Sequence, residues 1–149
     1  MNAWRGRCLD AFARAEAAIT VCLIFLSAAE TEHTVRLPHL VGQRREALGH
    51  ALAAMGTQGQ DVLKAQSALT ALRDHDQLRT MLCHGVGSMS LDRNGRWTVV
   101  LRLTVLRSRR TVREMLTLTE REAADRRDEL VRASKMLCAQ LEQVRTRAS

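Results

Sequence analysis

The chain has no tyrosine, only two tryptophans and two phenylalanines, and a single proline, Pro38, in 149 residues. With so few aromatics, a core has to be assembled mostly from Leu, Val, Ala and Met. With so little proline, long stretches lack the residue that most effectively breaks a helix, which favours a mainly helical fold. The four cysteines, Cys8, Cys22, Cys83 and Cys138, never fall at CxxC spacing. That spacing argues against a zinc site. Each cysteine has apolar neighbours, so the expectation is four free thiols packed as small core groups in a reducing compartment. Phosphate-loop GK[ST], GxGxxG, HExxH and GxSxG patterns are also missing, so the common enzyme signatures give no support and no cofactor is expected. Asp74 and Asp76 stand two apart in a helical stretch and point to different faces, which argues against a metal between them.

Apolar residues make up 46% of the sequence and charged residues 26%, the balance of a globular chain of one domain spanning residues 1–149. The net charge is +7, and only two of the 23 basic residues, Lys64 and Lys135, are lysine. A surplus of this size fits a polyanionic partner such as RNA. Its densest part holds Arg93, Arg96, Arg102, Arg107, Arg109, Arg110 and Arg113 with no acidic residue between them. They read either as a phosphate-binding patch or as the solvated face of a hairpin. Residues 17–29 (AAITVCLIFLSAA) are apolar throughout, long enough for a signal-peptide core but too short to span a bilayer. Just before them Trp4, Cys8, Phe12 and Ala15 recur at helical spacing, while Asp10, Arg14 and Glu16 interrupt the approach. A buried amphipathic helix accounts for both features, so no membrane association and a cytoplasmic location are expected.

The periodicity predicts a first helix over residues 3–29 and a polar loop over 30–36. A second helix begins at Pro38, carries Leu40, Val41, Leu48 and Leu52 inward and ends near Gly56; residues 57–60 are a linker. A third helix over 61–83 follows, with Val62, Leu69, Leu72, Leu78 and Leu82 on its apolar side and Gly85 in the left-handed conformation that closes a helix. Residues 88–91, 97–107 and 111–118 read as strands, the second rich in β-branched residues. Thr119-Glu120-Arg121-Glu122 is a capping box that opens a last helix to about residue 145. The expected fold is therefore mainly α: four to five helices in a bundle, with a small β-meander, about residues 88–118, inserted before the last helix.

The stretch most suggestive of chemistry is Arg79-Thr80-Met81-Leu82-Cys83-His84-Gly85. Arg and His separated by four residues at a helix end, followed by Gly, resemble the Rx4-6H motif of the HEPN superfamily (higher eukaryotes and prokaryotes nucleotide-binding), close to its RNxLxHG variant. The surrounding plan is similar too: a long first helix, the motif late in the third, a strand insertion and a final helix opened by T-x-x-E. The resemblance implies a metal-independent endoribonuclease of a toxin or phage-defence system, acting as a homodimer, with a cognate antitoxin or partner protein possible. It assigns Arg79 and His84 to catalysis, His84 as general acid or base and Arg79 as phosphate clamp or structural ion pair. The resemblance also implies an acidic residue on the first helix facing the motif Arg, which makes Glu16 the candidate partner of Arg79; flanked by Ala15, Ala17, Ala18 and Ile19, its carboxylate would need a partner. Thr80 and His75 are supporting candidates. Thr80 stands where active members commonly carry Asn, Asp or His, and His75, one turn before Arg79, is otherwise a solvated helix residue. A tyrosine found two residues after the His in one toxin branch is Val86 here, which excludes regulation through that tyrosine.

The chemistry suits the pair. A histidine near its ordinary pKa of ~6.5 exchanges a proton at neutral pH, and an arginine presents forked donors that match phosphate oxygens. The competing reading is a non-catalytic dimeric helical module that binds a protein or nucleic acid. In it Arg79 only ties the third helix to the first, and His84 only caps a helix end.

Overall fold

A computed structural model describes residues 2–28, 35, 37–56 and 59–148. Among these residues the chain forms five helices and three strands. In chain order they are α1 (Asn2–Ala28), α2 (Val41–Ala54), α3 (Gln60–Arg73), α4 (Asp76–His84), β1 (Val86–Leu91), β2 (Trp97–Arg107), β3 (Arg110–Thr119) and α5 (Glu120–Ala148). The fold is mainly helical, with a three-stranded antiparallel sheet of order β1-β2-β3 placed before the last helix. Residue 29 of the expected first helix, residues 30–34 and 36 of the expected loop, and 57 and 58 of the expected linker lie outside the described residues.

The core follows from two long stripes. On α1, Trp4, Cys8, Phe12, Ala15, Ile19, Cys22 and Leu26 are buried at steps of three and four. On α5 the same spacing buries Ala123, Leu130, Ala133, Leu137, Leu141 and Val144. The stripes meet with the helices running side by side in one direction. Trp4 Nε1 donates to the Ala123 carbonyl at 2.6 Å, and further along Ser134 Oγ donates to the Ala11 carbonyl at 2.7 Å. By length and composition α1 is apolar enough to cross a membrane, but its stripe is committed to this core. The capping box is present: Glu122 N donates to Thr119 Oγ1 at 3.3 Å, and Thr119 N donates to the Glu122 carboxylate at 2.8 Å.

The third helix of the sequence reading is two helices. A straight helix would carry residues 75, 76 and 79 beneath Leu72, at i+3, i+4 and i+7, and drive two charges into the core. The chain leaves the helix at His75 (φ −97°, ψ 6°) and re-enters it at Asp76, so that α4 turns Leu78, Met81 and Leu82 inward instead. Pro38 does not start α2, which begins three residues later at Val41; the Pro38 carbonyl accepts a hydrogen bond from Arg44 Nε at 2.9 Å. Leu40 is exposed rather than core. The insertion runs from Val86 to Thr119, slightly wider than expected at both ends.

Gly85 has φ −80° and ψ 147°, so it is not the left-handed residue expected after α4. Glycine is needed there for space. A Cβ would lie 2.4 Å from the Met81 carbonyl oxygen and 3.3 Å from that of Arg102, because the chain turns from α4 into β1 against the middle of β2. The left-handed glycine that closes a helix is Gly56, after α2, with φ +67°.

Strand β2 joins β1 through Leu91↔Trp97 and β3 through Arg107↔Arg110. Its inner face buries Val99, Leu101 and Leu103, and Trp97 packs on Trp4 with ring centroids 6.4 Å apart. The outer face is open, with Val86, Arg102 and Met115 aligned across the three strands. All four cysteines are free thiols. Burial pushes the pKa of Cys8 and of Cys22 up to about 11. Cys83, expected in the core, is exposed, because the α3–α4 kink rotates it out of the apolar stripe.

Candidate functional site

The break at His75 sets the geometry of the motif. Helix α4 presents Asp76 in its first turn, Arg79 one turn later and His84 as its last residue. Arg79 points back to α1, where its Nε donates to Glu16 Oε1 at 2.6 Å, the pairing expected from the sequence. Glu16 Oε1 also accepts from Arg45 Nη2 on α2 at 3.0 Å. The other prong of Arg45, Nη1, bonds Asp76 Oδ1. Two guanidiniums and two carboxylates thus form one charge-balanced network joining α1, α2 and α4. The Arg45 carbonyl in turn accepts from Arg73 Nη2 of α3 at 3.1 Å.

Burial grades across this network. The Arg45 side chain is 6% exposed, Glu16 20%, Arg79 25% and Asp76 50%. For Arg79, burial works against the charged form, and the hydrogen bond and charge of Glu16 outweigh it, so its pKa is raised. Nε carries the side-chain hydrogen bond of Arg79 among the described residues. The two Nη groups make no hydrogen bond among the described residues, and the side chain is about a quarter exposed. A guanidinium in that state can grip an anion with two donors.

His84 is exposed. Five helical residues after Arg79 correspond to about 7.5 Å of rise and about 140° of rotation, so the imidazole and the guanidinium of one chain leave α4 in different directions. The α4 C-terminus is capped by Arg5, whose Nη2 bonds the Leu82 carbonyl. Thr80 is exposed, and its hydroxyl donates to the Asp76 carbonyl at 2.9 Å, which occupies its only proton.

His75 is neither in this site nor solvated. It is 8% exposed, and its Nδ1 is buried without a hydrogen-bond partner among the described residues. Desolvation lowers its pKa, partly countered by Glu129 of α5. The kink turns it toward α5, away from the Glu16 network.

The seven arginines do not form one patch. Arg93 and Arg96 belong to the β1–β2 turn, where Arg96 is paired with Asp92 at 2.9 Å. Arg109 and Arg110 lie at the opposite end of β2, about 35 Å away at 3.3 Å per residue. Between them, Arg102 and Arg113 are exposed on the outer sheet face, and Arg102 Nη1 donates to Ser88 Oγ at 2.9 Å. Arg107 is the last residue of β2, and its side chain lies outside the described residues. Because Val86 pairs with Arg102, the residue after the motif's His84-Gly85 starts beside the Arg102 row.

The sequence reading overlooked Arg45 and Arg5, and weighed Asp76 only as a metal ligand. Arg45 carried a usable signal: it falls with Leu48 and Leu52 at i, i+3 and i+7, on the buried face of α2. Two clefts lie away from this network. One, of about 850 Å³, runs between Val35, residues 37–40 and α2 past His39, Glu46 and His50. The other, of about 680 Å³, lies between α1 and α5. Among the described residues no group of three or more His, Cys, Asp or Glu side chains is placed to hold a metal ion. Comparison of the chain with protein-family models, with curated proteins and with solved structures yields no match.

Proposed function

We propose that this chain is a HEPN-like RNA-targeting protein, a metal-independent endoribonuclease of the toxin or phage-defence type that works in the cytoplasm as a homodimer. The observation that carries the reading is the state of the motif. Arg79 is locked to Glu16 through Nε with its Nη groups left over, while His84 stands exposed at the end of the same short helix.

In this mechanism His84 takes the proton from a ribose 2′-OH, whose oxygen attacks the adjacent phosphorus and displaces the 5′-oxygen, leaving a 2′,3′-cyclic phosphate; a general acid returns a proton to the departing 5′-oxygen. The Nη groups of Arg79 stabilise the charge that develops on the phosphorane oxygens. Within one chain the two side chains diverge around α4, and each chain supplies one His84. Two copies facing each other would give both a general base and a general acid, with the Arg79 of one copy free to serve the phosphate beside the His84 of the other. The outer-face residues Arg102 and Arg113 with Arg109 and Arg110 would hold the RNA backbone, giving an affinity that falls with salt. Arg93 and Arg96 lie too far along the sheet to share that strand segment.

A second reading has its own support. The Arg79 side chain belongs to a largely buried ion network, and such a network can serve α1–α4 cohesion alone. The chain is then a dimeric binding module for nucleic acid or for a protein partner. Incubation of the purified protein with a broad RNA panel in EDTA, beside His84→Ala, separates the two. Cutting by the parent that disappears in the variant supports the ribonuclease. Inertness of both, with the fold and oligomeric state intact, removes it.

A further inference from the structure

We propose that Arg45 is a positioning residue for the Arg79 phosphate site, a competitor for Glu16 that keeps half of Arg79 free; this inference rests on the function proposed above. An arginine and a carboxylate left to themselves favour a fork, two parallel N–H···O bonds. That fork would commit one Nη of Arg79 to Glu16. Here Glu16 Oε1 is shared, taking Arg79 Nε at 2.6 Å and Arg45 Nη2 at 3.0 Å. The second guanidinium holds the carboxylate turned, and Arg79 meets it through Nε alone.

Arg45 is well fixed for this task. Its side chain is 6% exposed, and its other prong is tied to Asp76, the first residue of α4. The backbone beneath it is held as well, since its carbonyl takes Arg73 Nη2. One residue therefore sets both the rotation of Glu16 and the position of the helix that carries Arg79 and His84. Its cost is visible: Arg45 Nε is buried without a hydrogen-bond partner among the described residues. Simple cohesion does not call for such a donor, because well-packed apolar side chains often replace buried ion pairs without loss of stability. An Nη pair on Arg79 left without a hydrogen bond among the described residues is what the arrangement gains, and a pair of that spacing fits two oxygens of one phosphodiester.

The test is a double-mutant cycle on RNA affinity in the His84→Ala protein, which removes cleavage from the measurement. The probe is a fluorescein-labelled, mixed-sequence single-stranded 20-mer in EDTA and low salt. Arg79→Met is expected to weaken binding about tenfold, the loss of one charge-assisted pair. Arg45→Met is expected to weaken it by a similar factor, and the double variant no further than Arg79→Met alone. Thermal unfolding accompanies each variant, and Arg45→Lys, which keeps the charge but offers no fork, replaces Arg45→Met in the cycle if the latter does not fold. A loss from Arg45→Met that persists in the Arg79→Met background overturns the inference, as does an Arg45 variant that binds like its parent. If Arg79→Met itself binds like its parent, the phosphate role of Arg79 falls and takes the inference with it.

Discussion

Replacing Gly85 by alanine tests how the motif is held. The added Cβ would stand 2.4 Å from the Met81 carbonyl oxygen and 3.3 Å from that of Arg102. Ordinary C···O contacts begin near ~3.3 Å, so the shortfall against Met81 is about 1 Å. Both obstacles are backbone, and no rotamer relieves them. The Met81 oxygen is also the acceptor of Gly85 N at 2.9 Å, so escape means opening the last turn of α4. Losing that bond costs about 1 kcal/mol, and the forced repacking adds about 1–3 kcal/mol. The expected loss is about 2–4 kcal/mol, equivalent to a Tm lower by about 5–15 °C for a chain of this size. Gly6→Ala is the opposite control. Nothing lies within 4 Å of its Cβ on α1, and removing a helical glycine should stabilise by about 0.5–1 kcal/mol. Urea unfolding followed by circular dichroism reads both. Gly85→Asn separates space from backbone conformation. At φ −80° it should be at least as damaging as alanine, whereas asparagine is tolerated in left-handed positions. A Gly85→Ala protein as stable as its parent would refute this account of the α4–β1 turn.

Two other outcomes follow from the same coordinates. His75 is buried, faces Glu129 and Arg126 of α5 with Asp74 and Asp76 beside it, and has a pKa lowered first by desolvation. The folded state thus keeps it neutral while the unfolded chain protonates near pH ~6.5. Its contribution is complete above that pH and is lost as the pH falls through and below it, until the folded pKa is passed. Unfolding midpoints between pH 8 and 5 should decline less steeply in His75→Leu, and an unchanged slope would contradict the assignment. At the other end of the molecule, Ser108 (φ 49°) and Arg109 (φ 66°) both sit in the left-handed region of the two-residue β2–β3 turn, which Asn-Gly suits best. The double replacement Ser108→Asn, Arg109→Gly should raise the urea midpoint by the equivalent of about 1–2 kcal/mol with m unchanged. A lower midpoint would mean the turn is not left-handed.

The elements that apolar spacing dictates were legible from residues alone. The α1 and α5 stripes, the Thr119–Glu122 cap, β2 and the order of helices around the sheet all follow from periods of 3.6 and 2. The apolar flanks of Glu16 showed that its carboxylate needs a counter-charge, while the choice of Arg79 as that partner came from the family resemblance. Arg45 was hidden because a side chain buried by carboxylates leaves no apolar trace, and only its register with Leu48 and Leu52 betrays it. The α3–α4 break was hidden because Leu72 and Leu78 each look apolar, while their six-residue step, which no straight helical stripe accommodates, goes unnoticed in a list of residues. Gly85 was read through conformation when crowding by backbone, the Met81 carbonyl above all, was the cause. The arginine run misled because neighbours in sequence become opposite ends of a sheet once β2 separates them.

The side-by-side course of α1 and α5 has a consequence for how the protein is made. Trp4 meets Ala123, and Ala11 meets Ser134, across 119 and 123 residues. At about 5–20 residues per second, the ribosome needs roughly 6–25 s to supply the partner of a stripe it has already released. During that interval Phe12, Ile19, Leu23 and Leu26 have no α5 to cover them. The newborn first helix is therefore an obvious client for a chaperone that shields apolar segments at the tunnel exit. Completion of the core, and with it the seating of α4 against α1, waits for the last helix to emerge.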